Sequence, residues 1–207
     1  MKYHNTNRST LPRGHVRTLR QHEELPLLRD HLLRLDRDSR HDRFHGFMDD
    51  SFLERYAAKC AEDGTVIIAY IEDGVVRGAA ELHPPDSSPD DLPEIAFSVE
   101  AHLRRQGVGI ILFRKLIAEA RAKGYDRLRI TTGAQNNAMR ALANKFGAHL
   151  TFRHGESTGT IDLAQHPSAE PVRQPMAMPA DALRAMLTAN RAYWRLWLQL
   201  YGLGGVA

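Results

Sequence analysis

Two glycines, one residue apart, precede a strongly apolar stretch in the segment LRRQGVGIILFRKL, residues 103–116. If that stretch is a helix, its first amide N–H groups lack intrahelical partners and lie at the positive end of the helix dipole. Gly107 and Gly109 would let the backbone approach a phosphate closely, while Arg104 and Arg105 would supply positive charge. The segment predicts either an anion-binding turn or an ordinary tight strand-to-helix turn.

Two familiar phosphate-binding loops do not fit this turn. A dinucleotide-binding fingerprint needs a third glycine or alanine three residues after Gly109, and Leu112 stands there. A Walker A loop needs Gly-Lys-Ser/Thr after four intervening residues, which the sequence lacks. An anion bound at this turn would therefore belong to another class of ligand.

The elements that would position this turn follow from the apolar pattern, which changes period as alternating strands and helices do. Asp73-Gly74 lies between two β-rich runs and predicts a hairpin turn. The order indicates a mixed α/β (α+β) fold in which strands alternate with helices. Strands or hairpins are predicted at 15–19, 65–82, 94–99, 127–133 and 148–164, and helices at 23–36, 49–64, 108–123 and 136–147.

The length and composition of the 207 residues predict one folded domain with additional segments at both ends. We expect a basic tail at 1–14, the folded domain at 15–164, a proline-rich connector at 165–180, and an amphipathic helix and tail at 181–207. The tail lacks the apolar run of a signal peptide. Packing against the domain or across a homodimer is the ordinary role of the terminal helix; a lid or a membrane-surface helix is the alternative.

The charge and cysteine content narrow the class of protein. A net charge of +3 does not indicate nucleic-acid binding. The lone Cys60 excludes an internal disulfide and suits a reducing compartment, so we expect a cytoplasmic protein. His41 and His45 have a metal-ligand spacing, but no third ligand is placed by the sequence, and we expect no metal site.

The segment SVEAHLRRQGVGIILFRKLIAEARAKGY resembles the central motif of the GNAT superfamily of acyl-CoA-dependent N-acetyltransferases. A second stretch, NNAMRALANKFGA, is similar to that family's next motif and carries Asn136 at its asparagine position. The resemblance covers about residues 15–164. It implies the GNAT fold, with a mostly antiparallel twisted sheet flanked by helices. It also implies acetyl-CoA as the co-substrate, with the following residues against it: Phe97, Ser98, Val99, Arg104, Arg105, Gln106, Gly107, Val108, Gly109, Ile110 and Asn136.

Within these contacts, the resemblance assigns the backbone groups of Phe97 and Val99, not their side chains, to the pantetheine arm and the thioester carbonyl. Asn136 is also a good N-cap for the helix that it begins, and the two roles are compatible.

A closer resemblance is to bacterial protein lysine acetyltransferases that act on acyl-CoA synthetases. They share a Ser-Arg-x-x-Arg-Phe segment, here starting at residue 39, and a strand similar to Pro-Glu-Ile-Ala-Phe at 93–97. The resemblance implies a protein lysine as the acceptor and places Arg40, Arg43 and Phe44 at its entrance. Helix-end packing and solvated charge are the alternative for these three residues.

Acetylating an amine requires a base, because a lysine with a pKa of about 10.4 is almost wholly protonated at pH 7. Glu94 is the candidate: it begins the strand leading to the glycine turn and matches the catalytic glutamate of the resembling enzymes. Glu81 and His83, which share a face of the preceding strand, are the reserve bases, and Glu81 could also contact the acceptor. Each of the three could instead be an ordinary surface residue.

One residue departs from the family pattern. Many GNAT enzymes protonate the departing thiolate with a tyrosine of the second motif, and Ala143 stands at that position. The acid is therefore unassigned, with solvent or Ser98 as alternatives. Acetyl transfer to a small amine or polyamine, or binding of acyl-CoA without turnover as a sensor, are the competing functions.

Overall fold

The computed structural model describes residues 13–20, 23–85 and 91–165. The strands in these parts of the chain are β1 (His15–Thr18), β2 (Val66–Glu72), β3 (Val75–His83), β4 (Glu94–Val99), β5 (Arg127–Gly133), β6 (His149–Arg153) and β7 (Glu156–Asp162). The helices are α1 (Leu25–Arg34), α2 (Arg37–Phe44), α3 (Asp50–Glu62), α4 (Val108–Ala122) and α5 (Asn137–Lys145).

All seven of these strands form one sheet, in the order β1-β2-β3-β4-β5-β7-β6. Every neighbouring pair is antiparallel except β4 and β5, which run parallel. The predicted mixed α/β fold with a mostly antiparallel sheet is confirmed. The sequence bounds of β4 and β5 agree with the prediction residue for residue.

Local sequence signals account for several element ends. Asp73 and Gly74 both have positive φ, of 51° and 76°, as a two-residue hairpin of the mirror-image type requires. At the start of α3, the Asp49 carboxylate accepts a hydrogen bond of 2.7 Å from the amide of Phe52. These features fix where the chain reverses and where α3 begins.

Helix α2 was not predicted, because its sequence RDSRHDRF has no apolar stripe. The helix is fixed at its ends instead. Asp36 caps the amide of Ser39 at 2.7 Å, and His45 closes the other end in the left-handed conformation. The Ser-Arg-x-x-Arg-Phe segment is therefore helical, and its side chains extend towards the sheet.

Two hydrophobic clusters lie on opposite faces of the sheet. One is covered by α4 and α5, and we call this side the α4 face. The other, covered by α1 and α3, is the α1 face. Representative side chains of the α4 face are Ile68, Leu82, Ile95, Phe113 and Ile130; those of the α1 face are Leu28, Leu32, Leu53, Ile67 and Ala79.

The terminal segments fall outside the described residues. These include most of the predicted basic tail, all but the first residue of the connector, and the whole C-terminal helix, so the domain boundaries and the homodimer stay predictions. Within 13–20, 23–85 and 91–165, none of the helices combines the length and apolar character needed to cross a membrane.

Candidate functional site

Strands β4 and β5 form an open wedge. Strand β4 pairs with β3 along its whole length, but with β5 only at Glu94↔Arg129 and Ile95↔Ile130. Beyond Ile95 the two strands part, so one edge of β4 has no neighbouring strand in the part of the chain that the structure describes. This edge leads directly towards the glycine turn.

The backbone groups that face the wedge can be identified from the bonds at either end of β4. The Pro93 carbonyl accepts from the Arg129 amide at 2.8 Å, so residue 93 faces β5. At the other end, the Glu100 amide donates to the Arg77 carbonyl at 3.0 Å, so residue 100 faces β3. Because backbone groups alternate along a strand, the N–H and C=O groups of Phe97 and Val99 point into the wedge.

The glycine turn presents a run of unpartnered amides. Among the described residues, the N–H groups of residues 105–109 have no hydrogen-bond partner, and the next amide, that of Ile110, donates to the Gly107 carbonyl at 3.0 Å. Arg105 and Gly107 are both left-handed, with φ of 60° and 87°. Alternating left-handed residues turn successive amides to one side, which makes a concave site for an anion.

The three polar side chains of this loop, at residues 104–106, have different surroundings. Arg105 is exposed, and its guanidinium has no partner among the described residues. Arg104 instead donates to the Ser39 hydroxyl at 2.6 Å and ties the loop to α2. Gln106 donates to the His102 carbonyl at 2.7 Å. Of the predicted loop side chains, Arg105 is the one best placed to meet a phosphate.

The side chains of β4 alternate between the α4 face and the α1 face of the sheet. Phe97 stacks on Phe113, which in turn stacks on Phe146, with ring centroids 4.9 and 4.1 Å apart. Phe97 thus belongs to the α4 face. Glu94 and Ser98, an odd number of residues from Phe97, lie on the α1 face. A group that reacts with these two side chains must therefore approach from the α1 face.

Glu94 is half-buried and ion-paired. Its Oε2 lies 3.3 Å from a guanidinium nitrogen of Arg129, and 36% of its side chain is exposed. His83 stands directly opposite Glu94 on β3. Because about a third of its side chain is exposed, the Glu94 carboxylate is accessible to water, and its role as the base stays a prediction.

Glu81 is fully buried and held by several donors. Arg43 contacts its Oε2 at 2.9 Å, the Tyr56 hydroxyl donates to the same oxygen, and His83 Nε2 lies 3.5 Å away. Burial alone would raise the pKa of Glu81, but the charge of Arg43 and the hydrogen bonds from His83 and Tyr56 outweigh it and lower that pKa. Glu81 is therefore an anion at neutral pH and weakly basic.

The three predicted α2 residues have different surroundings. Arg43 is engaged with Glu81, and its ring neighbour Phe44 packs edge-on against Phe52 and Tyr56. Arg40 donates to the carbonyls of Leu33 and Leu35 and pairs with Asp50. These contacts anchor α2 to the end of α1, and a role of the three residues in acceptor binding stays a prediction.

Helix α5 supplies the predicted Asn136 and the departure at Ala143. The Asn136 side chain accepts from the Met139 amide at 3.0 Å, which confirms the N-cap. Its contact with a cofactor stays a prediction. Ala143 is fully buried in the α4-face cluster, so this position offers no hydroxyl to a leaving thiolate.

The side chains of His41 and His45, which have a metal-ligand spacing in the sequence, contact different groups. His41 packs edge-on against Phe47, and His45 pairs with Glu156 at 3.0 Å. Within the described part of the chain, no three His, Cys, Asp or Glu side chains are grouped as metal ligands.

A buried polar chain beneath β4 was missed by sequence reasoning. His31, fully buried in α1, has its Nε2 2.9 Å from the Ser98 hydroxyl and its Nδ1 3.6 Å from Glu100. Glu100 also contacts Arg34 at 3.1 Å and Arg77 at 3.0 Å. The available signal was His31 itself, which interrupts the apolar stripe of α1 at helical spacing from Leu28.

The acid sensitivity of the fold should depend partly on Glu100. Burial raises the pKa of Glu100, but the neighbouring His31 and the hydrogen bonds from Arg34 and Arg77 outweigh it and lower that pKa to about 2, from an ordinary 4.5. A lowered folded-state pKa stabilises the fold above the unfolded value and is lost as pH falls. We expect the difference in free energy of unfolding between wild type and Glu100→Gln to shrink between pH 4.5 and 2, measured by urea unfolding. A constant difference across that range would contradict this assignment.

The chain matches a family of known proteins and is similar to several solved structures. The model of the acetyltransferase (GNAT) family matches residues 30–148, more than half of the chain. The GNAT domain of PAT from S. lividans superposes with a TM-score of 0.61 and 20% identity, covering 72% of this chain and 90% of that one.

Two further solved structures share the fold. The yncA protein of Salmonella typhimurium, solved with its cofactor acetyl-CoA, has a TM-score of 0.55 and 18% identity, over 76% of this chain and 99% of that one. A ribosomal-protein-alanine N-acetyltransferase from Brucella melitensis has a TM-score of 0.54 and 20% identity, over 70% and 96%.

Proposed function

Because the chain belongs to the GNAT family of acetyltransferases, we propose that it transfers an acetyl group from acetyl-CoA to a primary amine, with a protein lysine as the acceptor. The observation that carries the proposal is the wedge between β4 and β5, which opens towards the glycine turn. There the amides of residues 105–109 lack partners among the described residues. Together they offer a strand edge for an extended arm and an anion site at its end.

The parts of acetyl-CoA match these two features. Its pantetheine arm contains amide groups that can bond with the backbone of Phe97 and Val99, much as a neighbouring strand would. Its pyrophosphate is an anion suited to the amides of residues 105–109 and to Arg105. The yncA structure, which was solved with acetyl-CoA in a protein of the same fold, supports acetyl-CoA as the co-substrate.

The thioester would lie beside β4, where the α1 face meets the wedge. Glu94, on that face, would take the proton of the incoming ammonium and leave a neutral amine to attack the thioester carbonyl in a ternary complex. Backbone N–H groups directed into the wedge would stabilise the developing oxyanion. Because the side chains of β4 alternate, Glu94 lies on the opposite face of the sheet from the Phe97 ring stack.

A protein lysine is favoured over a small amine by the resemblance of residues 39–44 and 93–97 to enzymes that modify acyl-CoA synthetases. The half-exposed Glu94 is consistent with a long side chain reaching in from solvent. We infer that an acyl-CoA synthetase is a suitable partner, with Arg40, Arg43 and Phe44 shaping the surface around the acceptor. In this proposal the reaction takes place in the cytoplasm.

Cofactor binding should depend on the glycine turn. Gly107 has a φ of +87°, and a side chain in that conformation costs about 1–2 kcal/mol. We expect Gly107→Ala to turn the amides of the loop away from the pyrophosphate and weaken acetyl-CoA binding by about tenfold or more, measured by calorimetry.

Gly124 provides a matched control at the other end of α4. Its φ is +81°, and a Cβ there, as at Gly107, meets nothing within 4 Å. Gly124→Ala should lose a similar amount of stability but keep its affinity for acetyl-CoA. Equal affinities for the two variants would place the pyrophosphate away from the glycine turn.

A further inference from the structure

His31 has an unusual environment for a histidine. Its side chain is fully buried on the apolar stripe of α1, between Leu28 and Leu32, which are also fully buried. Burying a polar ring is costly unless its nitrogens find partners. The partner of Nε2 is the hydroxyl of Ser98, 2.9 Å away on β4. The pair therefore joins a buried titratable group to the strand that borders the wedge.

The charges around His31 indicate where its proton lies. Nδ1 has no hydrogen-bond partner among the described residues, but it lies 3.6 Å from a carboxylate oxygen of Glu100, close enough to feel its charge. Arg34 and Arg77 hold that carboxylate in its ionised form. An ionised carboxylate only accepts, so it favours the tautomer with the proton on Nδ1. Nε2 then carries the lone pair, and the Ser98 hydroxyl donates to it. The order is carboxylate, imidazole, hydroxyl, and the hydroxyl belongs to β4, the strand that borders the wedge.

Ser98 lies between the two residues whose backbone groups face the wedge, and its side chain is on the α1 face. Consecutive Cα atoms are about 3.8 Å apart, so a thioester bound to the Phe97 and Val99 backbone would lie within one residue of Ser98. On the opposite face, the Ala143 position carries no hydroxyl. Ser98 is thus the side-chain hydroxyl that β4 itself brings to this point.

We propose that Ser98 is a catalytic residue that moves a proton from the attacking nitrogen to the departing sulfur, and that His31 is a positioning residue that holds this proton in transit. The inference rests on the proposed acetyl transfer. It assigns the acid that the sequence left unassigned and gives a role to a histidine outside the family motifs. Glu94 keeps its separate task of deprotonating the ammonium before attack.

The proton steps balance as follows. The neutral amine nitrogen bonds to the thioester carbon, and the adduct nitrogen gives one proton to Ser98 as Ser98 passes its own to His31 Nε2. The C–S bond then breaks, and its electron pair stays on sulfur. His31 returns its proton to Ser98, which protonates the thiolate. The products are the amide and the thiol of coenzyme A, with Ser98 and His31 in their starting forms.

Two substitutions separate proton transfer from packing. Ser98→Ala removes the hydroxyl, while His31→Gln keeps a polar group near the Nε2 position but cannot exchange a proton at neutral pH. We expect each to lower kcat by about 10²-fold or more, with the KM for acetyl-CoA within threefold of wild type. Ser157→Ala, a buried serine on β7, is the matched control and should keep normal turnover.

A third variant distinguishes a titrating group from a space-filling one. In His31→Ala, added imidazole can fill the cavity and exchange protons, whereas pyrazole has a similar shape but is a much weaker base. We expect imidazole, and not pyrazole, to restore thiol release. Equal rescue by both compounds would reduce His31 to a packing role and overturn its assignment. Melting temperatures and acetyl-CoA affinity identify any variant that fails to fold.

The outcomes separate this inference from the proposed function. Turnover within threefold of wild type in folded Ser98→Ala and His31→Gln, beside an inactive Glu94→Gln, would overturn the relay while leaving acetyl transfer intact. Lack of thiol release by the wild type with every amine tested would overturn both. A loss of kcat in both variants, with imidazole-specific rescue, is the result that we expect.

Discussion

Glu94→Gln is expected to lower kcat by about 10²–10⁴-fold while leaving acetyl-CoA affinity unchanged, because an amide cannot accept the proton of the acceptor ammonium. The carboxylate begins β4, on the face from which an amine would approach the wedge. The measurement is the rate of thiol release at saturating acetyl-CoA, with cofactor affinity determined separately by calorimetry.

The ion pair of Glu94 provides the control. Arg129→Gln breaks the same 3.3 Å contact from its other end but keeps the carboxylate. This variant should retain turnover within a few-fold of wild type, which would attribute the loss in Glu94→Gln to the missing base rather than to the missing ion pair. If Glu94→Gln turns over within threefold of wild type, another group is the base.

Arg43→Met should have the largest effect on stability. Removing one partner of a buried ion pair leaves the other charge uncompensated and costs about 3–5 kcal/mol. Glu81 would be the stranded charge: it is fully buried, and its Oε1 already lacks a hydrogen-bond partner among the described residues. Urea unfolding measures this loss as a decrease in the free energy of unfolding.

Two further variants test the cause of that loss. Arg43→Met combined with Glu81→Leu removes both charges and should recover most of the stability. Lys59→Ala removes the exposed contact of Lys59 with Asp63 and should cost less than about 1 kcal/mol. A loss below about 1 kcal/mol for Arg43→Met alone would show that the Arg43–Glu81 pair does not hold α2 to the sheet.

The sequence was most informative where short-range chemistry decides the structure. Asp73-Gly74 specified a hairpin because few other dipeptides accept positive φ at both positions. Strand β4 was identified with its correct ends because a proline-rich loop precedes it and the glycine turn follows. Helix α2 was missed because its stability comes from end caps and contacts with α1 and β3, not from an apolar stripe.

Contacts between distant segments account for the parts of the site that were missed. His31 and Ser98 are 67 residues apart, and their hydrogen bond exists because α1 packs over β4. The burial of Glu81 likewise depends on Arg43 and Tyr56, from two different helices. Pattern reasoning placed Glu81 and His83 on one face of β3 but could not show that helices cover Glu81. The wedge itself follows from where β4 and β5 part, which neither strand's sequence specifies.

The central claim is acetyl transfer from acetyl-CoA to an amine, and its most direct test is thiol release by the purified protein with two acceptor pools. One pool contains acyl-CoA synthetases and the other small amines and polyamines. We predict rapid release with the synthetases alone, and its loss in Glu94→Gln. Saturable acetyl-CoA binding without release in either pool would contradict the claim and favour an acyl-CoA sensor.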